Sequence, residues 1–145
     1  MYVKITDGIP VPTTLAQLKL DHPTVSFPET LTDALAAEWG LLPLQSTPRP
    51  EINRLIEDLV EGTPELVNGT WTQVWTVVPL SQEEAAGRVR TERDRRLAAC
   101  DWVVIRAKEL GQSVPIDWFT YRGDLRQLPD QPGFPFEVVW PVAPA

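Results

Sequence analysis

The sequence predicts an α+β fold: a small mixed α/β domain with a β-hairpin at the N-terminal end, followed by a helical domain with an extended tail. Three observations carry this. Nine of the 15 prolines fall between Pro10 and Pro79, and the next is Pro115. Proline costs roughly 3 kcal/mol inside a helix, so long helices belong to the proline-free stretch. Asn68-Gly69 is the strongest two-residue hairpin signal in the chain, because both residues accept the positive φ of a type I′ turn. Ser81 with Glu84 forms a capping box at the head of the proline-free stretch. The expected domains are residues 1–79 and 80–145.

In the first part, Tyr2 to Thr6 reads as a strand closed by Asp7-Gly8. Thr14 to Leu20 reads as a short helix with Leu15, Leu18 and Leu20 inward, stopped by Asp21-His22-Pro23. A second short helix, Leu31 to Trp39, is capped by Thr30 and ends on Gly40 at C′. Leu41 to Gln45 reads as a strand, and Pro48-Arg49-Pro50 as a stiff connector. A two-residue loop at Asn68-Gly69 pairs Leu66 with Trp71 and Gly62 with Trp75 along an alternating strand, Thr70 to Val78. Pro64 makes the partner strand an edge or gives it a bulge, since it has no N–H for a ladder.

In the second part, the helix from Ser81 toward Cys100 has apolar positions Ala85, Ala86, Val89, Leu97 and Ala98. Its Arg90–Arg96 stretch is polar all round, the pattern of a helix that projects into solvent or spans packed bodies. Asp101 recaps the chain, and Trp102 to Leu110 continues as helix up to Gly111. After Pro115 a last helix carries Trp118, Tyr121, Leu125 and Leu128 on one face until Pro129. The aromatic segment from Gly133 to Pro141 has no partner strand, so it either packs back across the helices or adds to another protein's sheet.

Composition excludes several functions. Six Trp, two Tyr and four Phe argue for a folded chain. The net charge of −7 opposes binding to nucleic acid or anionic membrane unless charge is segregated. The segment Arg88–Arg96 is such a segregation, five arginines against two acids. Glu84–Arg88 and Glu92–Arg96, however, stand i,i+4 in the favourable order, which reads as a solvated helix with internal ion pairs. The single His22 and single Cys100 supply neither a nucleophile–base pair nor a metal set, and no Walker, Rossmann, HExxH or CxxC motif occurs. His22 reads as a surface loop residue and Cys100 as a small core residue. The expectation is a non-enzymatic protein without cofactor or metal.

The second half carries a resemblance. Arg93-x-x-Arg96-Leu97, Cys100-Asp101-Trp102, Trp118-x-x-Tyr121-Arg122-x-x-Leu125-Arg126-x-Leu128-Pro129, Gly133-Phe134-Pro135 and Trp140-Pro141 follow in the order seen in the phage tail assembly chaperone family. The segment from Arg88 to Pro141 resembles that family, departing at Cys100, at Gly123 and in the stretch Arg106–Pro115. The first half looks like the leader that accompanies it in phage proteins.

The resemblance implies a tail fibre assembly chaperone. Its partner is a phage tail fibre protein, held at the distal tip to promote folding, trimerisation or solubility, in the host cytoplasm, with retention on the virion as a variant. Trp118, Tyr121, Arg122, Arg126, Phe134 and Trp140 are the expected partner-binding residues or the scaffold beneath them, with Arg122 and Arg126 sharing a basic face. Two alternatives stand beside it: a permanent virion fibre-cap or baseplate subunit, and a small nucleic-acid binder using Arg88–Arg96.

Overall fold

The computed structural model describes residues 1–145 and has the α+β architecture expected from the sequence. It contains two compact units, residues 1–51 with 59–77 and residues 52–58 with 78–145.

The first unit is built on a five-stranded sheet. Its strands are β1 (Tyr2–Thr6), β2 (Ile9–Thr13), β3 (Leu41–Gln45), β5 (Glu65–Val67) and β6 (Thr70–Thr72), in the order β2-β1-β3-β6-β5. β1 is antiparallel to β2 and β3, β3 is parallel to β6, and β6 is antiparallel to β5. Asp7 (φ 53°) and Gly8 (φ 81°) close the first hairpin, and Asn68 (φ 49°) and Gly69 (φ 80°) the second. Leu66 faces Trp71 as the two-residue turn requires.

Strand β2 was not anticipated, because it contains Pro10 and Pro12. It is an edge strand. Residues two apart direct their N–H groups to the same side, so both missing donors fall on the open edge and the ladder to β1 is intact. The continuous strand expected over Thr70–Val78 is interrupted at Gln73 and Val74; β7 (Trp75–Pro79) pairs instead with β4 (Glu57–Glu61) in a separate ribbon. Gly62 N–H donates to the Val74 carbonyl at 2.9 Å, so Gly62 lies one place away from the Trp75 register. The irregularity falls beside Pro64, where an edge or bulge was expected.

Two short helices cover the sheet, α1 (Leu15–Asp21) capped by Thr14 and α2 (Asp33–Glu38) capped by Thr32. The expected cap at Thr30 is wrong by two residues: Leu31 is drawn into the core, and its carbonyl accepts the Tyr2 hydroxyl at 2.8 Å. Leu18, Ala36 and Leu41 are fully buried, with Tyr2, Leu15, Phe27, Leu31 and Trp39 packed around them. Leu20, expected inward, is 73% exposed, because it stands two positions from Leu18 and so across the helix. His22 caps α1 and lies against Trp39, with ring centroids 4.9 Å apart.

The second unit holds α3 (Gln82–Ala99), α4 (Asp101–Glu109), α5 (Ile116–Gln127) and a 3-10 turn over Leu128–Asp130. Both halves of the Ser81–Glu84 capping box are formed. Ala85, Ala86 and Val89 are buried as expected, whereas Ala98 is exposed. Gly111 (φ 63°) follows α4, where only a residue without Cβ turns the chain cheaply. Tyr121, Leu125 and Leu128 bury one face of the last helix. The chain end is not extended from Gly133 as expected. Turns occupy Pro132–Phe136, closed by Glu137 N–H to the Gly133 carbonyl at 2.7 Å, and residues 138–145 have no regular structure.

Candidate partner-binding surface

The site is built at the break between α3 and α4. Cys100 ends one helix and starts the other. The Arg122 guanidinium crosses from α5 to hold that break. Nη1 donates to the Leu97 carbonyl and to Cys100 Sγ, both at 3.0 Å, and Nη2 donates to Asp101 Oδ1 at 2.8 Å. Arg122 is only 8% exposed. Burial opposes its charge, but the bonds to Asp101 and Cys100 outweigh that and hold its pKa above the ordinary arginine value. A buried cation of this kind belongs to the framework, so the basic face expected from Arg122 with Arg126 does not form. Arg126 stands exposed by itself.

Cys100, Tyr121 and Leu125 form the core of this region, with Leu97, Trp118 and Trp140 packed against it. Trp118 meets Trp102 and Tyr121 edge-on, each at 5.9 Å between centroids. Trp102 is 52% exposed and contributes mainly that edge. Three of the six expected residues, Trp118, Tyr121 and Trp140, are therefore brought together. Arg122 lies beneath them, and Phe134 sits apart under Arg90, whose guanidinium is 5.2 Å from its ring centroid.

The chain end reaches this cluster by folding back. The Gln131 side-chain amide grips the backbone of Val139: Nε2 donates to the carbonyl at 2.9 Å and Oε1 accepts the N–H at 2.8 Å. That pair imitates a rung of sheet and delivers Trp140 to the cluster, where Arg96 covers its ring at 4.1 Å. Gly133 is required for the turn: a Cβ there would meet the Glu137 carbonyl oxygen at 2.5 Å. Of the two outcomes left open for the aromatic segment, packing back across its own helices is the one realised.

Each arginine of the polar stretch is occupied. Arg88 makes a two-pronged bond to Asp58 at 2.9 Å, rather than the expected pair with Glu84, which is taken up by Ser81. Arg93 pairs with Asp94, and Arg95 and Arg96 both pair with Glu92. The two guanidiniums, Arg95 before Arg96, hold the Glu92 carboxyl at about 2 against an ordinary 4.5, in spite of burial. The polar circumference of α3 thus serves acids on its own unit and aromatic rings of the tail.

Beside Trp140 lies a groove of about 510 Å³, walled by Trp118, Tyr121, Trp140 and Val142 with Arg95 and Arg96 on its rim. No helix is long and apolar enough to cross a membrane.

Neither the curated proteins nor the solved structures contain a match to this chain. The family model for phage tail assembly chaperone protein matches residues 86–145, a span that contains α4, α5, the Arg122 node and the folded-back tail, so the C-terminal segment of this chain is similar to the phage tail assembly chaperone proteins.

Proposed function

We propose that the chain is a tail fibre assembly chaperone. It holds a phage tail fibre protein at its distal tip, keeps it soluble and helps it trimerise, in the host cytoplasm and without catalysis or a cofactor. The observation that carries this is the family match over residues 86–145, which spans the Trp118–Tyr121–Trp140 cluster. Trp118 and Trp140 are the contact residues, Tyr121 and Arg122 the scaffold under them, and Arg126 and Phe134 lie at the margin. Buried aromatic anchors with arginine nearby are the usual carriers of interface energy. The arginine run supports a protein partner over a nucleic acid, because Arg88, Arg93, Arg95 and Arg96 already meet acids of the same unit.

The test is co-expression with the fibre protein of the same phage, followed by size-exclusion chromatography. The expected outcome is a soluble complex and loss of fibre solubility when this chain is omitted. A fibre that is soluble and trimeric alone, and never co-elutes, refutes the proposal. Stoichiometric presence in purified particles moves the assignment to a retained virion subunit.

A further inference from the structure

The groove beside Trp140 has a charge pattern that sets it apart from the rest of the chain. The charged side chains lining it are Arg95 and Arg96, in a protein of formal net charge −7. Glu92, which pairs with both, lines the neighbouring groove with Leu55 and Arg88 and not this one. One carboxylate against two guanidiniums leaves the rim positive. The bond from Arg96 to Glu92 engages Nε alone, and the guanidinium carbon lies over the Trp140 ring, 4.1 Å from its centroid. An arginine held between an acid and a ring in this way is prepared to take a carboxylate on its remaining N–H groups, at small cost in side-chain freedom. The walls are rings and the aliphatic Val142, which suit an extended, apolar peptide backbone more than an isolated anion.

We infer that this groove takes an extended segment of the partner polypeptide in which an acidic side chain is flanked by proline or aliphatic residues. The inference rests on the chaperone reading and assigns the partner's chemistry at that same surface. The carboxylate meets Arg95 and Arg96, and the apolar flanks lie between Trp118 and Trp140. A single-stranded nucleic acid also combines negative charge with stacking, but it needs a track of several unpaired cations. Two arginines that already share Glu92 do not make such a track.

The test uses the full chain labelled with ¹⁵N and follows the indole N–H signals of Trp118 and Trp140. The probes are a blocked Val-Pro-Glu-Val-Pro peptide, the same peptide with Gln in place of Glu, and an oligothymidylate. The Glu peptide is expected to move both signals, and the Gln peptide to bind about tenfold more weakly. Raising salt to about 0.5 M should remove most of that difference, because the rim is exposed. Val142→Glu places a negative charge in the groove at a position 89% exposed, so packing is untouched and Glu-peptide affinity should fall about tenfold. Equal binding of the Gln peptide, a response to oligothymidylate alone, movement of Trp102 alone, or no response at millimolar peptide each overturns the inference.

A second arm separates it from the chaperone reading. If the wild-type chain does not bind the fibre protein, the reading fails even where the peptide binds. If it does bind and Val142→Glu and Arg95→Gln change nothing, the reading stands and the groove assignment is wrong.

Discussion

Each unit is stitched by one buried polar side chain, and the two differ in kind. In the sheet unit it is Gln73, a neutral amide 7% exposed. Its side-chain Nε2 donates to Glu61 at 2.8 Å and its Oε1 accepts the Thr47 N–H at 3.4 Å, while its backbone N–H donates to the Gln45 carbonyl at 2.9 Å and its backbone carbonyl accepts the Thr47 hydroxyl at 2.8 Å. In the helical unit it is Arg122, a cation that spans a helix break. The amide interrupts a strand and ties the loose ends; the cation replaces the backbone bonds that a helix end leaves open. Both sites are fully satisfied, which is the condition under which buried polar groups specify one arrangement. They should fail differently when removed.

The largest effect is expected from Arg122→Met. It removes the donor to the Leu97 carbonyl, to Cys100 Sγ and to Asp101, three hydrogen bonds of a buried cation, at a cost of about 3 kcal/mol. Denaturant unfolding followed through the indole signals distinguishes the units, since Trp102, Trp118 and Trp140 lie in one and Trp39, Trp71 and Trp75 in the other. Arg122→Met should shift the first set and leave the second. Equal shifts in both sets would mean that the two units unfold as one.

Gln73→Leu is the mirror experiment and should cost about 2 kcal/mol, mainly from the Thr47 N–H and the Glu61 carboxylate left without the side-chain amide. Here the shifted signals should be those of Trp39, Trp71 and Trp75. Trp75 is the most sensitive, because its indole N–H donates to the Thr47 carbonyl at 3.2 Å. A smaller change is expected from Gly133→Ala. The new methyl meets the Glu137 backbone, and relief of about 1 kcal/mol of overpacking loosens the turn that leads to Trp140. Faster proteolysis after Glu137 and a red-shifted Trp140 emission, without loss of the Tyr121–Leu125 core, are the expected readings.

What the sequence made legible follows from how local each cause is. The hairpin at Asn68-Gly69 and the Ser81–Glu84 cap were readable because turn geometry and cap bonds involve residues at most three apart. The Thr30 cap failed because Thr30 and Thr32 are equally able N-caps, and burial of Leu31 chose between them. Strand β2 was hidden because Pro10 and Pro12 read as breakers, and only the position at a sheet edge makes them harmless.

The stitching residues were the least legible. Gln73 looked like any alternating strand position. Arg122 was marked by its motif, but a motif does not tell a buried arginine from an exposed one. Its partners Asp101 and Leu97 lie 21 and 25 positions away in sequence. Trp118, Tyr121 and Trp140 stood among the six candidate residues, but their clustering, and their meeting with Arg95 and Arg96 in one groove, depends on the return of the tail, which Gln131 and Gly133 direct.

The gentlest way to sharpen the comparison is acid. The Gln73 amide has no proton to gain, whereas the helical unit depends on Glu92, held at about 2 from an ordinary 4.5 by Arg95 and Arg96. A carboxyl lowered in the folded state gives stability that is fully present above about pH 4.5 and is lost as pH falls through about 2. The Trp118 and Trp140 signals should therefore lose denaturant resistance across that window more than those of Trp39 and Trp71. Glu92→Gln should flatten the difference while costing under about 1 kcal/mol at neutral pH, the usual range for pairs with one partner in water. If the acid dependence survives Glu92→Gln, the Arg88–Asp58 pair is the alternative source, since Asp58 is also held below its ordinary value by its bond to Arg88. Asp58→Asn then decides between them.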